Sequence, residues 1–159
     1  MRGLRVRRAR LEDLQTIQRL NHELFKHDND YHHDLNLEWP YEPDGEAYFR
    51  SCIEGDDLFV SIVAEYDGAV VGYLNGGIRK PHSAYLGKRA ELENMCVTAE
   101  FRGYGIGTKL IDEFKSWAHD QGADRLIVEA FHGNDEALRF YEKNGFRNYA
   151  LTLSQLARP

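Results

Sequence analysis

The stretch Arg102-Gly103-Tyr104-Gly105-Ile106-Gly107 decides how this sequence folds, because a strand pattern precedes it and a helix pattern follows it. Residues 91–97, Glu-Leu-Glu-Asn-Met-Cys-Val, are typical of a strand. In residues 108–118 apolar side chains recur at three-and-four spacing, which predicts a helix. Glycines let the backbone turn and leave bare N–H groups at the helix start, where the helix dipole adds about half a positive charge. The order strand, glycine turn, helix therefore predicts an anion site, and phosphate suits it best.

The composition is that of an ordinary globular protein and disfavours several classes. The 159 residues are 42% hydrophobic and 29% charged, which fits a single domain spanning residues 1–159. A formal net charge of −6 argues against general nucleic-acid binding. The basic run Arg5–Arg10 is short, and a first strand with arginines on its solvated face explains it. Two distant cysteines, no signal peptide and no apolar run near twenty residues predict a cytoplasmic protein with reduced thiols and no membrane segment.

The rest of the sequence predicts a mixed α/β order of elements. The Asp67-Gly68 pair predicts a hairpin turn, and residues 27–44 predict a loop. The early strands form an antiparallel meander, while the second half alternates strand and helix in the βαβ manner. Strand patterns cover Leu4–Arg8, Leu58–Glu65, Ala69–Arg79, Arg89–Thr98, Arg125–Ala130 and Phe146–Leu153, and helix patterns cover about residues 11–27, 45–52, 106–121 and 135–144.

Two common phosphate-binding motifs do not fit the glycine turn. A P-loop counted from Gly103 would need a second glycine where Thr108 stands, and no Ser or Thr follows Lys109. A Rossmann turn would need its third glycine at Thr108 or Leu110, depending on the starting glycine. The pattern that remains is Arg-x-x-Gly-x-Gly.

That pattern resembles the cofactor motif of the GNAT superfamily of N-acetyltransferases, through Arg102, Gly105 and Gly107. A second family segment matches at Asn134–Phe146, with the spaced Asn, Ala and Tyr and the closing Gly-Phe. The two lie about 30 residues apart in the family's order, and the resemblance covers nearly the whole chain. It implies an α/β single-domain acyl-CoA N-acyltransferase (GNAT) fold: a mixed sheet with an antiparallel N-terminal meander, a splayed parallel strand pair and flanking helices. Thr98 stands where many members carry proline.

The resemblance implies acetyl-CoA as co-substrate. Its pyrophosphate would be held by backbone amides of the turn, and its pantetheine arm would pair with the strand Met95-Cys96-Val97 as an added strand. Asn134 matches a position that contacts the pantetheine or caps the following helix. The turn residues concerned are Arg102, Gly103, Tyr104, Gly105, Ile106, Gly107 and Thr108.

The resemblance also implies catalytic roles. Tyr141 matches the tyrosine that donates a hydrogen bond or proton to the departing sulfur, and the Val97 N–H matches the donor to the acetyl oxygen. In several members a glutamate in this strand accepts the amine proton. Glu91 and Glu93 lie two residues apart, which predicts one shared strand face with Met95 and Val97. Both glutamates remain candidates for the base, and attraction of a cationic substrate or a solvated strand end remains an alternative.

The His- and Asp-rich loop of residues 27–34 is explained without a metal, because it lacks a His-x-x-x-His helix pattern and cysteine ligands. In the family this loop borders the acceptor site, so its side chains and nearby aromatics could attract a cationic amine, although a solvated acidic loop fits equally well. His132 is better explained as an ordinary strand-end residue. Cys96 is expected to be a buried apolar side chain, which favours direct transfer over a cysteine nucleophile. The acceptor candidates are Asp28, Asp30, Tyr31, Asp34, Trp39 and Tyr41.

The resulting hypothesis is an N-acetyltransferase that moves the acetyl group of acetyl-CoA to a primary amine of a small molecule or peptide in a ternary complex. The alternatives are a catalytically silent CoA-binding sensor and an unrelated nucleotide-binding enzyme. Expected partners are the amine acceptor and, as an alternative to a monomer, a second copy of the chain in a homodimer. Neither nucleic acid nor a membrane is expected.

Overall fold

The computed structural model describes residues 3–157 and contains a five-stranded sheet. The strands lie across the sheet in chain order. The first four are antiparallel neighbours, and the fifth runs parallel to the fourth. The mixed sheet with an antiparallel first half and one parallel pair is therefore confirmed. The strands are β1 (Leu4–Arg8), β2 (Phe59–Tyr66), β3 (Ala69–Ile78), β4 (Arg89–Val97) and β5 (Arg125–Val128).

Helices cover both faces of this sheet. Helices α1 (Leu14–Asp28) and α2 (Pro43–Glu54) pack on one face, and α3 (Ile106–Asp120) packs on the other. The fourth helix, α4 (Asp135–Lys143), lies against the first turn of α3. Single 3-10 turns at Leu11–Asp13, Trp39–Tyr41 and Ala99–Phe101 precede α1, α2 and α3.

The periodic apolar patterns account for the helix positions. On α3 the predicted stripe is buried as a whole, with Leu110, Ile111 and Phe114 inaccessible to solvent. On α1, Ile17 and Leu20 are equally buried against the opposite face. The sheet is thus covered on both sides, which leaves its edges and the ends of its strands as places for a site.

The β2–β3 hairpin turns through Asp67 and Gly68, as predicted. Both residues have positive φ, +46° and +83°, which is the geometry of the two-residue turns that match the twist of paired strands. Most other predicted bounds differ from the observed ones by one or two residues, since helix and strand ends fray.

A β-bulge interrupts the pairing of β3 with β4. Asn75 pairs with Asn94, and the next residue, Gly76, pairs with Leu92, so Glu93 is an extra residue in β4. The extra residue reverses the alternation of side chains. Glu93 therefore points to the α1 and α2 side, whereas Met95 and Val97 pack under α3. The predicted common face of the two glutamates with Met95 and Val97 is wrong for this reason.

The predicted final strand, Phe146–Leu153, is also wrong. Residues 146–156 have no regular secondary structure and pair with no strand of the sheet. Phe146 packs beside Tyr141, but Leu151 and Leu153 are 74% and 84% exposed. The alternating apolar pattern is present in the sequence, yet β5 has only four residues and offers a short edge. The sheet therefore ends at β5.

Candidate active site

A gap opens between the ends of β4 and β5. Their parallel pairing stops at Leu92 and Val128, while β4 continues to Val97. Thr98 N donates to Val71 O on the β3 side (2.9 Å), so the alternation of an antiparallel ladder directs the Val97 N–H to the opposite side, into the gap. The Arg102 Nε donates to Val97 O (3.0 Å) at the mouth of this gap. The free edge of β4 can therefore pair with an extended ligand.

The glycine turn opens onto the same end of the sheet. Gly103 and Gly105 have φ of +79° and +78°, and a Cβ on either would meet no atom within 4 Å. Gly105 is the residue that precedes α3, and the first helical N–H with a backbone acceptor is that of Lys109, which donates to Gly105 O (3.1 Å). The N–H groups of residues 103–108 have no backbone acceptor among residues 3–157. Six unsatisfied donors at a helix start form a concentrated anion site.

Two residues of the motif differ from the rest of the turn. Gly107 lies inside α3, and a Cβ there would meet the Phe140 ring at 2.9 Å, so this glycine allows α4 to pack against α3. The Arg102 N–H already donates to Ala99 O (3.2 Å), and its side chain holds Val97. The available amides are thus those of residues 103–108, one fewer than the sequence predicts.

The two candidate glutamates have different surroundings. Both carboxylate oxygens of Glu91 accept hydrogen bonds from Arg79, at 2.5 Å each. Glu93 is exposed and accepts one hydrogen bond, from the Tyr48 hydroxyl at 2.6 Å. Although the residue as a whole is exposed, partial desolvation of its carboxyl group raises the pKa of Glu93, and the Tyr48 hydrogen bond offsets part of that rise. Of the two, Glu93 has a free carboxylate oxygen.

Helix α4 supplies Tyr141 and Asn134. The Tyr141 ring packs edge-on against Phe140 and Phe146, and its hydroxyl makes no hydrogen bond to another described residue. Burial, with a smaller contribution from Asp28, raises the pKa of Tyr141 well above its usual value, so the phenol keeps its proton at neutral pH. Asn134 is 6% exposed and its Oδ1 accepts the Ala137 N–H (3.1 Å). The capping interpretation of Asn134 is confirmed.

The loop after α1 lies over the end of β5. His32 stacks on Phe131 with ring centroids 5.1 Å apart, and Tyr31 lies beside Gly133. Asp28 ends α1, and burial raises its pKa. Asp30 and Asp34 are exposed, whereas Trp39 packs among Phe25, Tyr48 and Phe49 and is less free to stack on a ligand than Tyr31 and Tyr41.

Other residues considered from the sequence lie outside this arrangement. Cys96 is 6% exposed, and burial raises its pKa to about 11, so it is a neutral thiol at physiological pH. His132 is exposed in a turn. Among residues 3–157 no group of three or more His, Cys, Asp or Glu side chains is placed to hold a metal ion. No helix in that range is both long and apolar enough to cross a membrane.

The sequence model described as the Acetyltransferase (GNAT) family matches residues 17–146. The chain belongs to that family. An enzyme of this family is an acetyltransferase, its co-substrate is acetyl-CoA, and its reaction is acetyl transfer to an amine.

Known acetyltransferases align with this chain along most of their length. A thialysine N-epsilon-acetyltransferase of Mus musculus is 29% identical over 145 residues, covering 89% of this chain and 83% of the mouse protein. An uncharacterized N-acetyltransferase of Archaeoglobus fulgidus is 30% identical over 146 residues, covering 91% and 93%. Among solved structures, the aminoglycoside N-acetyltransferase AAC(6')-Iy in complex with CoA superposes with a TM-score of 0.75 at 16% identity, covering 98% of this chain and 95% of that one.

Three residues of this candidate site were missed in the sequence. Tyr48 and Arg79 contact the candidate glutamates, and Asn94 contacts Tyr48 (2.9 Å). The sequence carries a signal for the bulge alone, Asn75-Gly76-Gly77 inside a strand, since glycines within a strand mark bulges. No local pattern marks the contacts of the three missed residues. A Cβ on Gly76 would lie 2.5 Å from the Phe114 ring and 2.6 Å from Glu91 O.

We expect Gly105→Val to weaken CoA binding by the acetyltransferase strongly. The branched side chain would occupy the open side of the turn, so CoA affinity should fall by about 100-fold or more, as expected for the loss of at least two hydrogen bonds to a charged group. The matched control is Gly122→Val, which has the same positive φ (+71°) and open surroundings at the other end of α3. Calorimetric titration with CoA measures both variants. Equal affinities for the two would contradict the anion site.

Proposed function

We propose that the protein transfers the acetyl group of acetyl-CoA to a primary amine of a small molecule or peptide by direct attack within a ternary complex. The observation that carries this proposal is the position of the gap between β4 and β5. The unsatisfied amides of residues 103–108 lie on the α3 side, and Glu93 lies on the α1 and α2 side. Two substrates can thus approach from opposite faces of the sheet and meet at the gap, as direct transfer requires.

The turn fits the diphosphate of CoA. Six N–H donors have no backbone acceptor among residues 3–157, two positive-φ glycines keep Cβ atoms away, and the start of α3 adds its dipole. Each hydrogen bond to a charged acceptor is worth roughly 1.5–3 kcal/mol, so a few of them suffice for micromolar binding after the cost of association. The free edge at Met95–Val97 then provides backbone partners for the amide-containing arm. We also propose that Asn134 contacts this arm, in addition to capping α4.

Three groups serve the chemistry in this proposal. Glu93 accepts a proton from the acceptor ammonium, which frees the nitrogen lone pair for attack on the acetyl carbon. The Val97 N–H donates to the acetyl oxygen as negative charge develops there. Tyr141, kept protonated by burial, donates its proton to the sulfur as the carbon–sulfur bond breaks. The acceptor nitrogen loses two protons in all: the first passes to Glu93 and then to solvent before attack, and the second leaves the tetrahedral intermediate and restores the Tyr141 phenol. The net products are the amide, the CoA thiol and one proton.

A cationic acceptor suits the charges around the gap. Asp28, Asp30 and Asp34 lie in or beside the loop over the end of β5, and Glu93 lies on β4 just beyond the last residue that pairs with β5. Such a set attracts an ammonium and disfavours an anionic substrate. The mouse relative is named as a thialysine acetyltransferase and the structurally similar AAC(6')-Iy as an aminoglycoside acetyltransferase, which supports a basic small molecule or peptide end as acceptor.

A homodimer in the cytoplasm completes the proposal. Tyr149, Leu151, Leu153 and Leu156 are exposed within eight residues, next to the edge strand β5. An exposed apolar segment beside an open edge favours association of two copies, and a single-chain mass in light scattering would contradict it. Both cysteines are free, which suits a reducing compartment that cell fractionation can identify.

A panel of amines tests the activity. Thiol release from acetyl-CoA should be stimulated by at least one class among polyamines, aminoglycosides, free amino acids and peptide N-termini, with cationic members preferred. Tight CoA binding without turnover on every class would instead favour a CoA sensor. Covalent acetylation of the protein in the absence of acceptor would contradict direct transfer.

Substitution of the two glutamates should separate their roles. Glu93→Gln removes the base, so kcat/KM should fall by about 100-fold and lose the ascending limb of its pH profile. In the wild type that limb should have its midpoint above the usual range for a carboxyl group, because burial raises the pKa of Glu93 and the ionised form is required. Glu91→Gln is the matched control: it leaves Glu93 in place and should retain the limb. A larger loss for Glu91→Gln would reverse the assignment.

Tyr141→Phe should lower turnover and spare CoA affinity. The phenyl ring keeps the packing against Phe140 and Phe146 while the donor to the sulfur is lost. We expect kcat to fall by about 10- to 100-fold, within the usual range for a general acid. Steady-state kinetics over the pH range, with CoA affinity measured separately, checks this. A wild-type rate at every pH would exclude Tyr141 as the donor.

A further inference from the structure

A chain of hydrogen bonds leads from Glu93 into the core. Tyr48 Oη donates to Glu93 Oε2 (2.6 Å), and Asn94 Nδ2 donates to Tyr48 Oη (2.9 Å). Asn21 Nδ2 donates to Asn94 Oδ1 (3.2 Å) and to Tyr73 Oη (2.8 Å). The side chains come from α1, α2, β3 and β4.

The direction of these bonds fixes the proton of Tyr48. A phenol has one proton to donate, and the Asn94 amide occupies an acceptor position on the same oxygen. The Tyr48 proton is therefore directed to Glu93. Because Asn94 is held in turn by Asn21, the orientation is set by residues that do not reach the gap.

The inner part of this hydrogen-bond chain is buried, which lowers the free energy of unfolding. Asn21 and Tyr73 are inaccessible to solvent, and the Asn21 Oδ1 has no partner among residues 3–157. Asn75, which pairs with Asn94 across the sheet, is also fully buried, with both of its amide atoms unpartnered in that range. Apolar side chains of similar size would be more favourable in such a position, so this polar row is better explained by a role at the site than by stability.

We propose that Tyr48 is a positioning residue for Glu93, which it holds at the gap in its ionised form and in one orientation, with Asn94 and Asn21 fixing the Tyr48 hydroxyl. This inference rests on the proposed function, in which Glu93 is the base. Tyr48 itself does not contact the reacting atoms. It acts by keeping one carboxylate oxygen bonded, so that the other oxygen faces the acceptor amine.

The groups around Glu93 determine how its pKa should change when the Tyr48 hydrogen bond is removed. From β3 and β4 it faces the ion pair of Arg79 and Glu91, whose charges oppose each other. From α2 it faces Tyr48 and Cys52, and burial raises the pKa of Cys52 to about 12, so that thiol is neutral. From α1 the uncharged Asn21 amide reaches this group of residues only through Asn94. The Tyr48 hydrogen bond thus lowers the pKa of Glu93 against the effect of burial, and its removal should raise that pKa.

Tyr48→Phe tests the proposal through the pH profile of kcat/KM. The ascending limb should move to higher pH by about 0.5–1 unit, because the ionised carboxylate loses a hydrogen bond. Asn94→Ala, which keeps the Tyr48 hydroxyl but frees its orientation, should give a smaller shift in the same direction. Tyr66→Phe is the control: this ring packs on Phe101, its hydroxyl bonds to no described residue, and its profile should match the wild type. Thermal unfolding of each variant identifies losses due to folding.

A double-mutant cycle with Glu93→Gln separates this inference from the proposed function. If Tyr48 acts through Glu93, then Tyr48→Phe should have no further effect on kcat/KM in the Glu93→Gln background. Additive losses, or an unshifted profile for a folded Tyr48→Phe protein, would overturn the positioning role while leaving Glu93 as base. A wild-type rate for Glu93→Gln would overturn the base assignment, and the positioning role with it.

Discussion

The rest of the site depends on one extra residue in β4. Glu93 has no partner on β3, because Asn75 pairs with Asn94 and Gly76 pairs with Leu92. Gly76 has no room for a Cβ, which would meet the Phe114 ring of α3 and Glu91 O. A bulge leaves the extra residue out of the ladder and rotates the part of the strand beyond it. Glu93 is thereby presented on the α1 and α2 face, although Met95 and Val97, further along β4, pack under α3. Without the bulge, the carboxylate and the strand end would not be oriented as the proposed mechanism requires.

The end of pairing between β4 and β5 then gives the two faces access to each other. Pairing stops at Leu92 and Val128, one residue before the bulge, and α4 holds Tyr141 against the same apolar cluster that Val97 touches. A continuous sheet would separate the anion site from Glu93 by a layer of hydrogen-bonded backbone. Opening it costs several backbone hydrogen bonds, and an extended ligand with its own amides can replace them.

The sequence predicted those parts of the molecule that depend on local patterns. The amphipathic stripe of α3, the Asp67-Gly68 turn and the Asn134 cap each follow from residues close together in the chain, and each is confirmed. The family and its fold followed from two short motifs. The contacts that could not be predicted involve distant partners: Arg79 reaches Glu91 across twelve residues, and Tyr48 reaches Glu93 across forty-five. The prediction of a final strand was wrong for a related reason. An alternating pattern forms a strand only when a neighbouring edge is long enough to pair with it.

The different environments of the two glutamates show why spacing alone could not assign the base. Two carboxylates two residues apart look equivalent in a strand, yet Arg79 binds both oxygens of Glu91 and also approaches Glu129, just beyond β5, at 3.5 Å. Arg79 therefore links β4 to the residue after β5 at the point where the pairing of these strands ends, and Glu91 is one of the two carboxylates in this link. Its charge is balanced there, which limits its repulsion of Glu93. Glu93 can then stay ionised with a single hydrogen bond and keep one oxygen free. In the proposed mechanism, Glu93 is therefore available for proton transfer because Arg79 neutralises the neighbouring Glu91.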